Sequence, residues 1–398
     1  MPVIVQKYGG SSVADVEKIG QVADKVVAAR RLGNDVVVVV SAMGKTTDEL
    51  LSLAKKVSGG KGDPPRRELD MLVSTGERVS MALLSIAIEA RGCQAISFTG
   101  SQSGILTNDR HFDARIIEVR PHRIEDELAR GRVVIVAGYQ GMSYKREITT
   151  LGRGGSDTTA VALAAALGAE RCEIYSDVDG VYSGDPRVVD AAAHLPELDL
   201  ATLQEMAEAG AKVLNAQAVE WARRAKIAIY ARKTSDPVDA EGAPVRQTIA
   251  HDNGPSEMAQ HRVRAVVGLD RVVVVHVAEP LRRFAEVASS MDLPLLDLTA
   301  GATGASAVIP LLNLPDWDAC RARLTTEMRS IEIIENRALV SIVGAELTGA
   351  SALPKFLTTL ESVNAVLSTV VAGPLRIAAT IASSDLGAAQ RALHAAFV

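Results

Sequence analysis

The stretch "DVVVVVSAMGKTTDEL" (Asp35–Leu50) indicates the fold class of the N-terminal part of the chain. Five consecutive valines without apolar–polar alternation are typical of a strand that is buried on both faces, as in a parallel sheet covered by helices. Beyond the valines, Ser41 and Thr47 could donate hydrogen bonds to a ligand, and Asp48 suits a helix start. Simple N-capping of the helix by Thr46 or Thr47 is the alternative.

Four further runs repeat this order of an apolar segment, a small or polar end and a helical pattern. They are "VIVQKYGGSS" (3–12), "AISFTG" (95–100), "RVVIVAGYQG" (132–141) and "CEIYSDVDG" (172–180). Helices between such strands suit crossovers, so the sequence predicts an α/β domain with a mainly parallel sheet. Ligands bind at the carboxyl ends of strands in such sheets, and we therefore expect the residues that follow the runs to converge.

The composition is that of an ordinary soluble protein with two or three domains. The 398 residues are 47% hydrophobic and 23% charged, with a formal net charge of −5, which favours neither nucleic acid nor an anionic membrane as a partner. Cys93, Cys172 and Cys320 lack the spacing of a disulfide framework or a zinc site. The start "MPVIVQKYGG" does not resemble a signal peptide, and no long uninterrupted apolar window is present. We expect a cytoplasmic protein without a membrane span.

The pattern changes after the first 230 residues. Residues 232–262 are rich in proline, glycine and polar residues, as in a connection between domains. Two units of roughly 65 residues follow, and each reads as strand, helix, strand, strand, helix. A duplicated small α+β module is therefore predicted for the C-terminal part.

The stretch "KYGGSS" (Lys7–Ser12) follows the first predicted strand and offers a cation beside bare backbone. Lys7 with the N–H groups of Gly9 and Gly10 at a helix start would attract phosphate oxygens. An ordinary strand-to-helix turn is the alternative, and the spacing is not that of a Walker A loop.

The stretch "STGERVSMALL" (Ser74–Leu84) places Glu77 after a predicted small-residue turn and ahead of an apolar helix. A glutamate in the first turn of that helix could bind a ligand. It could equally do no more than complement the helix dipole.

The stretch "GRGGSD" (Gly152–Asp157) combines both charge signs with three glycines before a helix. The guanidinium of Arg153 matches a carboxylate, and an acidic side chain can hold an ammonium group, so the loop suits an amino acid. A helix capped by Ser156, with Arg153 in solvent, is the alternative.

The stretch "YSDVDGVYSGDPRVVDAA" (Tyr175–Ala192) is dense in acidic and turn residues after a predicted strand. Its spacing is not that of an EF-hand, because no glutamate closes a twelve-residue loop. An aromatic side chain, Tyr182, and a cation, Arg187, could hold the base and the phosphates of a nucleotide.

These motifs, with "ELDMLVSTGERVS", "VAGYQG" and "GAKVL", occur in the order found in aspartate kinases, which residues 1–235 closely resemble. The resemblance implies an amino-acid kinase fold over residues 1–250. It also implies two ferredoxin-like ACT modules, at 263–330 and 333–398. Small departures from the family's motifs are Tyr8, Ser11, Ser176, Ser183 and Asn215. Another amino-acid kinase, for instance one acting on glutamate, and a non-catalytic sensory protein are the alternatives.

The resemblance implies transfer of the γ-phosphoryl group of Mg-ATP to the side-chain carboxylate of L-aspartate. The product, 4-phospho-L-aspartate, enters the pathways to lysine, threonine, methionine and diaminopimelate. A carboxylate nucleophile is already ionised at neutral pH, so no general base is needed. Mg²⁺ is expected to be held mainly by phosphates and water, without protein ligands.

The resemblance also assigns roles to the motif residues. The catalytic residues would be Lys7, Arg153 and Asp157. Aspartate would be bound by Ser41, Thr47, Glu77, Arg153 and Ser156. The nucleotide would be bound by Lys7, Gly9, Gly10, Ser176, Asp177, Tyr182, Arg187 and Lys212.

The C-terminal modules depart further from the family. The first lacks the usual proline-glycine turn in "VAEPLRRF" (Val277–Phe284), and the second keeps Ser368 and Thr369 without the glutamate that normally follows. Burying an effector's ammonium without its acid is costly, so we expect weakened or absent inhibition by lysine or threonine. A reshaped site for an amino-acid effector is the alternative. The family suggests a homo-oligomer through the modules, or an α2β2 assembly with internal initiation at Met258.

Overall fold

The structure is a computed structural model that describes residues 1–59, 63–211, 214–237, 244–252, 263–301, 304–349 and 351–398. The strands are β1 (Val3–Tyr8), β2 (Asp35–Val40), β3 (Ala95–Phe98), β4 (Ile105–Thr107), β5 (Ile116–Val119), β6 (Val133–Ala137), β7 (Gln140–Ser143), β8 (Ile148–Thr150), β9 (Arg171–Ser176), β10 (Val181–Tyr182), β11 (His194–Leu195), β12 (Glu197–Asp199), β13 (Ala228–Lys233), β14 (Gln247–His251), β15 (Val263–Val277), β16 (Leu296–Gly301), β17 (Gly304–Pro310), β18 (Ile331–Gly344), β19 (Thr369–Ala372) and β20 (Arg376–Ala382). The α-helices are α1 (Val16–Arg31), α2 (Thr46–Val57), α3 (Arg66–Glu89), α4 (His122–Ala129), α5 (Gly155–Ala166), α6 (Leu200–Glu208), α7 (Ala216–Ala225), α8 (Leu281–Ser290), α9 (Trp317–Glu327), α10 (Ala352–Ser362) and α11 (Leu386–Phe397).

The N-terminal part, residues 1–252, is built on an eight-stranded sheet in the order β12-β14-β13-β9-β1-β2-β6-β3. Its neighbouring strands are parallel except for the antiparallel pair β13–β14. The predicted mainly parallel sheet is therefore confirmed. Because β1 lies between β2 and β9, the loops that follow these three strands emerge at the same edge.

The five valines of β2 are buried on both faces of this sheet, as the sequence predicts. Val36, Val38 and Val40 share a core with α1 and the end of α3, whereas Val37 and Val39 pack with α5 on the opposite face. Successive side chains of a strand point to opposite faces, so an all-apolar strand requires a helical layer on each side.

A second sheet, in the order β5-β4-β7-β8, was not predicted from the sequence. Its strands have three or four residues each, too few to show a period of apolar residues.

Helix α3 lies against β8 and also contacts α1 and β6. By length and composition α3 could cross a membrane. One face of α3 is buried and carries the carboxyl groups of Asp70 and Glu77, whereas Val79 and Ile86 are exposed.

The C-terminal part, residues 263–398, forms one antiparallel sheet in the order β16-β17-β15-β18-β20-β19. Helices α8 and α9 share a core with one half of the sheet, and α10 and α11 share a core with the other half. This arrangement confirms the two α+β modules. The long strands β15 and β18 pair along their length and run through both halves. The exact domain limits given above stay predictions.

The two parts of the chain share a core. Ala265, Val267 and Val343 of the C-terminal sheet belong to the same buried cluster as Leu203 and Met206 of α6. Burial of apolar surface therefore joins the C-terminal modules to the N-terminal sheet.

Candidate active site

Lys7 lies near the end of the central strand β1, at the sheet edge where the predicted loops converge. Its Nζ is 2.7 Å from Oδ1 of Asp157, and both side chains are about one-tenth exposed. Asp157 stands in the first turn of α5. A buried carboxylate therefore holds the lysine ammonium in one place.

A first cavity of about 460 Å³ opens beside Lys7. The predicted residues on its wall come from four separate segments of the chain. They are Lys7, Gly9, Gly10, Ser41, Thr47, Glu77, Arg153 and Ser156. A volume of this size suits a small ligand.

Glu77 lies in the middle of α3, and the prediction that it follows a turn is wrong. The hydroxyls of Ser74 and Thr75 donate to helix carbonyls, which satisfies them inside the helix. Gly76 serves close packing, because a Cβ at this position would lie 2.8 Å from Cβ of Ala42. The absence of a side chain brings α3 against the loop after β2 and turns Glu77 toward the cavity.

The carboxyl group of Glu77 is buried and half-satisfied. Oε1 accepts a hydrogen bond from the N–H of Ala42 at 3.1 Å, whereas Oε2 has no hydrogen-bond partner among the described residues. Burial raises the pKa of Glu77 to about 7 from an ordinary value of 4.5. A cationic ligand group at Oε2 would satisfy this oxygen and favour the ionised form.

The loop that carries Arg153 is held by its main chain. Gly152 and Gly154 have φ values of 73° and 77°, a region that favours glycine. Oδ1 of Asn313 accepts from the N–H of Arg153 at 2.9 Å, and Nδ2 of Asn215 donates to its carbonyl at 2.8 Å. The guanidinium extends to Asp48 at 2.7 Å, with both side chains more than half exposed. The alternative of a Ser156 cap is not seen, since no side chain caps α5.

Two aromatic residues on the cavity wall, Phe112 and Tyr139, have positive φ values of 70° and 68°. Such backbone is unusual for bulky side chains and persists where surrounding contacts fix it. The carboxylate of Asp70, which is fully buried, supplies such contacts. It accepts from the N–H of Phe112 and from the hydroxyl of Thr150, and lies 2.6 Å from Nδ1 of His111. No motif in the sequence predicts this network.

A second cavity of about 830 Å³ lies on the other side of Lys7. The predicted residues on its wall are Lys7, Asp157, Ser176, Asp177, Tyr182 and Arg187. The Tyr182 hydroxyl donates to Asp179 at 2.8 Å, and Arg187 pairs with Asp185 of its own loop at 2.9 Å. Acidic residues of the loop therefore hold the side chains of Tyr182 and Arg187.

Lys7 lines both cavities, and this places its ammonium between them. Lys212 lies outside the described residues. No group of three or more His, Cys, Asp or Glu side chains in the described part of the chain is arranged to hold a metal ion.

The C-terminal part also contributes to both cavities, which the sequence motifs do not predict. Arg271, Leu311, Leu312, Leu314 and Pro315 line the first cavity. Residues of β15 and α11 line the second, with Asp270 and Gln390 among the polar ones. Gly268 is a weak signal for this role, since a Cβ there would lie 2.7 Å from the amide of Gln390.

Comparison with known proteins agrees with this architecture. The model of the amino acid kinase family matches residues 2–232. Aspartokinase of Mycolicibacterium smegmatis is 41% identical over 415 aligned positions, covering all of this chain and 96% of the relative. The chain belongs to the aspartokinases, within the amino acid kinase family. It is an ATP-dependent kinase, as the sequence predicts.

Solved aspartokinases share the fold over the whole chain. E. coli aspartokinase III in complex with aspartate and ADP, in its R-state, has a TM-score of 0.85 at 24% identity, with 99% of both chains covered. The same protein with lysine and aspartate, in its T-state, has a TM-score of 0.68.

Proposed function

We propose that the enzyme transfers the γ-phosphoryl group of Mg-ATP to the side-chain carboxylate of L-aspartate, giving 4-phospho-L-aspartate. The observation that carries this proposal is the position of Lys7, whose ammonium lies between two cavities of different size. Phosphoryl transfer depends mainly on in-line positioning and charge neutralisation, and a cation between acceptor and donor supplies both.

The first cavity has the polar groups that an amino acid needs. Arg153 offers two N–H donors to a carboxylate, and Glu77 offers a free oxygen to an ammonium group. Hydroxyls of Ser41, Thr47 and Ser156 surround the remaining space. The substrate's side-chain carboxylate would then lie toward Lys7, with no proton to remove before attack.

The second cavity fits a nucleoside triphosphate in volume and in donors. Ser176, Asp177 and Tyr182 would face the nucleoside, while Arg187 and Lys7 would face the phosphates. Gly9 and Gly10, which are predicted to bind the nucleotide, line the first cavity instead, and their N–H groups would donate to the transferring phosphoryl group from that side. Mg²⁺ would neutralise phosphate charge, and it would be held by the phosphates and water. Asp157 would fix the orientation of Lys7.

ADP release with a panel of acceptors tests the proposal. We expect turnover with L-aspartate and little or none with L-glutamate, N-acetyl-L-glutamate or L-asparagine. The first two are longer than the cavity's intended substrate, and asparagine lacks the nucleophilic carboxylate. Trapping the product with hydroxylamine would identify the acyl phosphate. Faster turnover with glutamate than with aspartate would contradict the proposal.

The affinity for aspartate is expected to rise with pH through neutrality. Because burial raises the pKa of Glu77 to about 7, its carboxyl group is mostly protonated at lower pH and cannot pair with the substrate ammonium. For a pKa near 7, the ionised fraction rises about tenfold between about pH 6 and pH 8, and the KM for aspartate should fall accordingly.

The same titration affects stability with the opposite sign. A carboxyl group whose pKa is raised in the folded state contributes stability below its ordinary pKa of 4.5, and this contribution is lost as pH rises through about 7. Glu77→Gln should raise the KM and remove its pH dependence, and should also flatten the stability profile of the ligand-free enzyme. A KM for aspartate that is independent of pH in the unmodified enzyme would contradict the assignment.

We further propose that inhibition by lysine or threonine is weakened or altered. Of the retained pair Ser368 and Thr369, the Thr369 hydroxyl is 2.7 Å from that of Thr380 in the neighbouring strand. This hydroxyl is therefore already hydrogen-bonded within the sheet. A cavity of about 830 Å³ near β17, lined by His276, Arg329 and Glu332, favours the alternative of a reshaped effector site.

Titration of the enzyme with lysine, threonine and both together separates these views. We expect activity to persist at millimolar concentrations of effector. Strong inhibition below that range would refute the proposal of weakened inhibition.

The assembly is proposed to be a homo-oligomer through the C-terminal modules, or α2β2. Met258, the candidate internal start, lies outside the described residues. Native mass measurement of the purified product would distinguish the two assemblies.

A further inference from the structure

The loop between β17 and α9, residues 311–316, brings the C-terminal part into contact with the Arg153 loop. The side chain of Asn313 makes two hydrogen bonds there. Its Oδ1 accepts from the N–H of Arg153 at 2.9 Å, and its Nδ2 is 3.2 Å from Oδ1 of Asp113. The first bond crosses from one part of the chain to the other, over 160 positions of sequence.

Within the Arg153 loop, the N–H of Gly155 donates to the carbonyl of Gly152 at 3.0 Å, which closes a turn around Arg153. The flanking residues Gly152 and Gly154 have the widest backbone freedom of any residue type. The ion pair between Arg153 and Asp48 is largely exposed, and such pairs contribute little. The bonds of the Arg153 N–H to Asn313 and of the Arg153 carbonyl to Asn215 therefore fix this turn relative to distant segments of the chain.

The loop that carries Asn313 is itself firmly attached to the N-terminal part. Asp316 forms a two-fold hydrogen bond with Arg66 at the start of α3, at 2.6 and 2.9 Å. Leu314 is buried beside the first cavity. At its other end the loop is attached to the C-terminal sheet, because the N–H of Leu311 donates to the carbonyl of Arg271 in β15 at 3.1 Å.

We propose that Asn313 is a positioning residue for Arg153, through which the C-terminal part sets the affinity for the substrate carboxylate. This inference rests on the proposed aspartate kinase activity. It assigns to the 311–316 loop a direct share in substrate binding, because loss of one side-chain acceptor would free the Arg153 peptide. Asn313 is not among the described residues that line the second cavity, so the affinity for ATP should be unaffected.

Asn313→Ala is expected to raise the KM for aspartate roughly fivefold to tenfold, the loss of about one hydrogen bond. The kcat and the KM for ATP should change less than about twofold. Asn34→Ala is a matched control, because it also removes a side-chain hydrogen bond to the main chain but far from both cavities. An unchanged KM for aspartate, or an equal rise in the KM for ATP, would overturn the proposal.

A charge-neutral exchange with Asp113 separates positioning from general damage. Asn313→Asp alone puts two carboxylates at the 3.2 Å contact and should raise the KM for aspartate more than Asn313→Ala does. Combining it with Asp113→Asn restores an amide–carboxylate pair and keeps an acceptor for the Arg153 N–H. The double variant should recover a KM within about twofold of the unmodified enzyme. Failure of this rescue would argue against the proposal.

Amide exchange gives a readout that does not need substrate. The Arg153 N–H should exchange several-fold faster in Asn313→Ala, with the exchange of β1 unchanged. Unchanged exchange would overturn the positioning role even if the KM rose. If the unmodified enzyme showed no aspartate-dependent turnover, the proposed function would fail, and the exchange experiment would still decide whether Asn313 holds the loop.

Discussion

Replacement of Lys7 by glutamine is expected to lower kcat by about 10²–10³-fold, the usual cost of removing one group that stabilises transition-state charge. The ammonium lies between the two cavities, where the transferring phosphoryl group would pass. Glutamine keeps the approximate size of the side chain but cannot neutralise charge. Steady-state ADP release at saturating aspartate and ATP measures the effect.

The Lys7 experiment needs a control for folding, because the variant leaves the carboxylate of Asp157 buried without its cation. Such a change can cost several kcal/mol of stability. Lys7→Gln combined with Asp157→Asn removes both charges and should melt closer to the unmodified enzyme while remaining inactive. Lys145→Gln, which breaks a surface pair with Asp109, should keep full activity. Near-normal turnover in Lys7→Gln would exclude the proposed role.

Replacement of Arg153 by alanine should raise the KM for aspartate by about 10²-fold, since a carboxylate loses a bidentate, charge-assisted partner. The KM for ATP should change little, because Arg153 lines the first cavity. Lysine at this position keeps the charge without the planar pair of donors. The KM of Arg153→Lys for aspartate should therefore lie between those of the unmodified enzyme and Arg153→Ala. Initial rates over a range of aspartate concentrations measure the change.

The Arg153 experiment is free of the folding problem. The side chain is 56% exposed, so truncation should change the free energy of unfolding by less than about 0.5 kcal/mol. Arg67→Ala is a matched control, because Arg67 is also a partly exposed arginine in surface ion pairs. If Arg153→Ala raised both KM values equally, the guanidinium would not be specific to the first cavity.

The parallel sheet and the location of the site were predictable from short stretches of the chain. The valines of β2 require burial on both faces, and this requirement produces a helical layer on each side. Since the strands are parallel, their carboxyl ends meet at one edge, and the motifs after β1, β2 and β9 must converge there. Lys7, Ser41 and Ser176 lie at that edge for this reason.

Other features could not be predicted because they depend on contacts between distant segments. The small residues before Glu77 predict a turn that includes Gly76, but Gly76 lies within α3 and packs against Ala42. A glycine can be a turn residue or a close-packed residue within a helix. The segment that packs against it decides between these two roles. The short strands β4 and β8, and the positive φ of Tyr139, likewise give no local signal.

The sequence by itself determined the type of fold and the set of chemical groups, and it predicted their division between a loop for an amino acid and a loop for a nucleotide. These features follow from side-chain period and residue type, which act over a few neighbouring positions. The tertiary structure alone decided the half-satisfied carboxyl of Glu77, the place of Lys7 between two cavities and the bond from Asn313 to Arg153. Each of these depends on distances and burial between segments far apart in the chain, which local patterns do not encode.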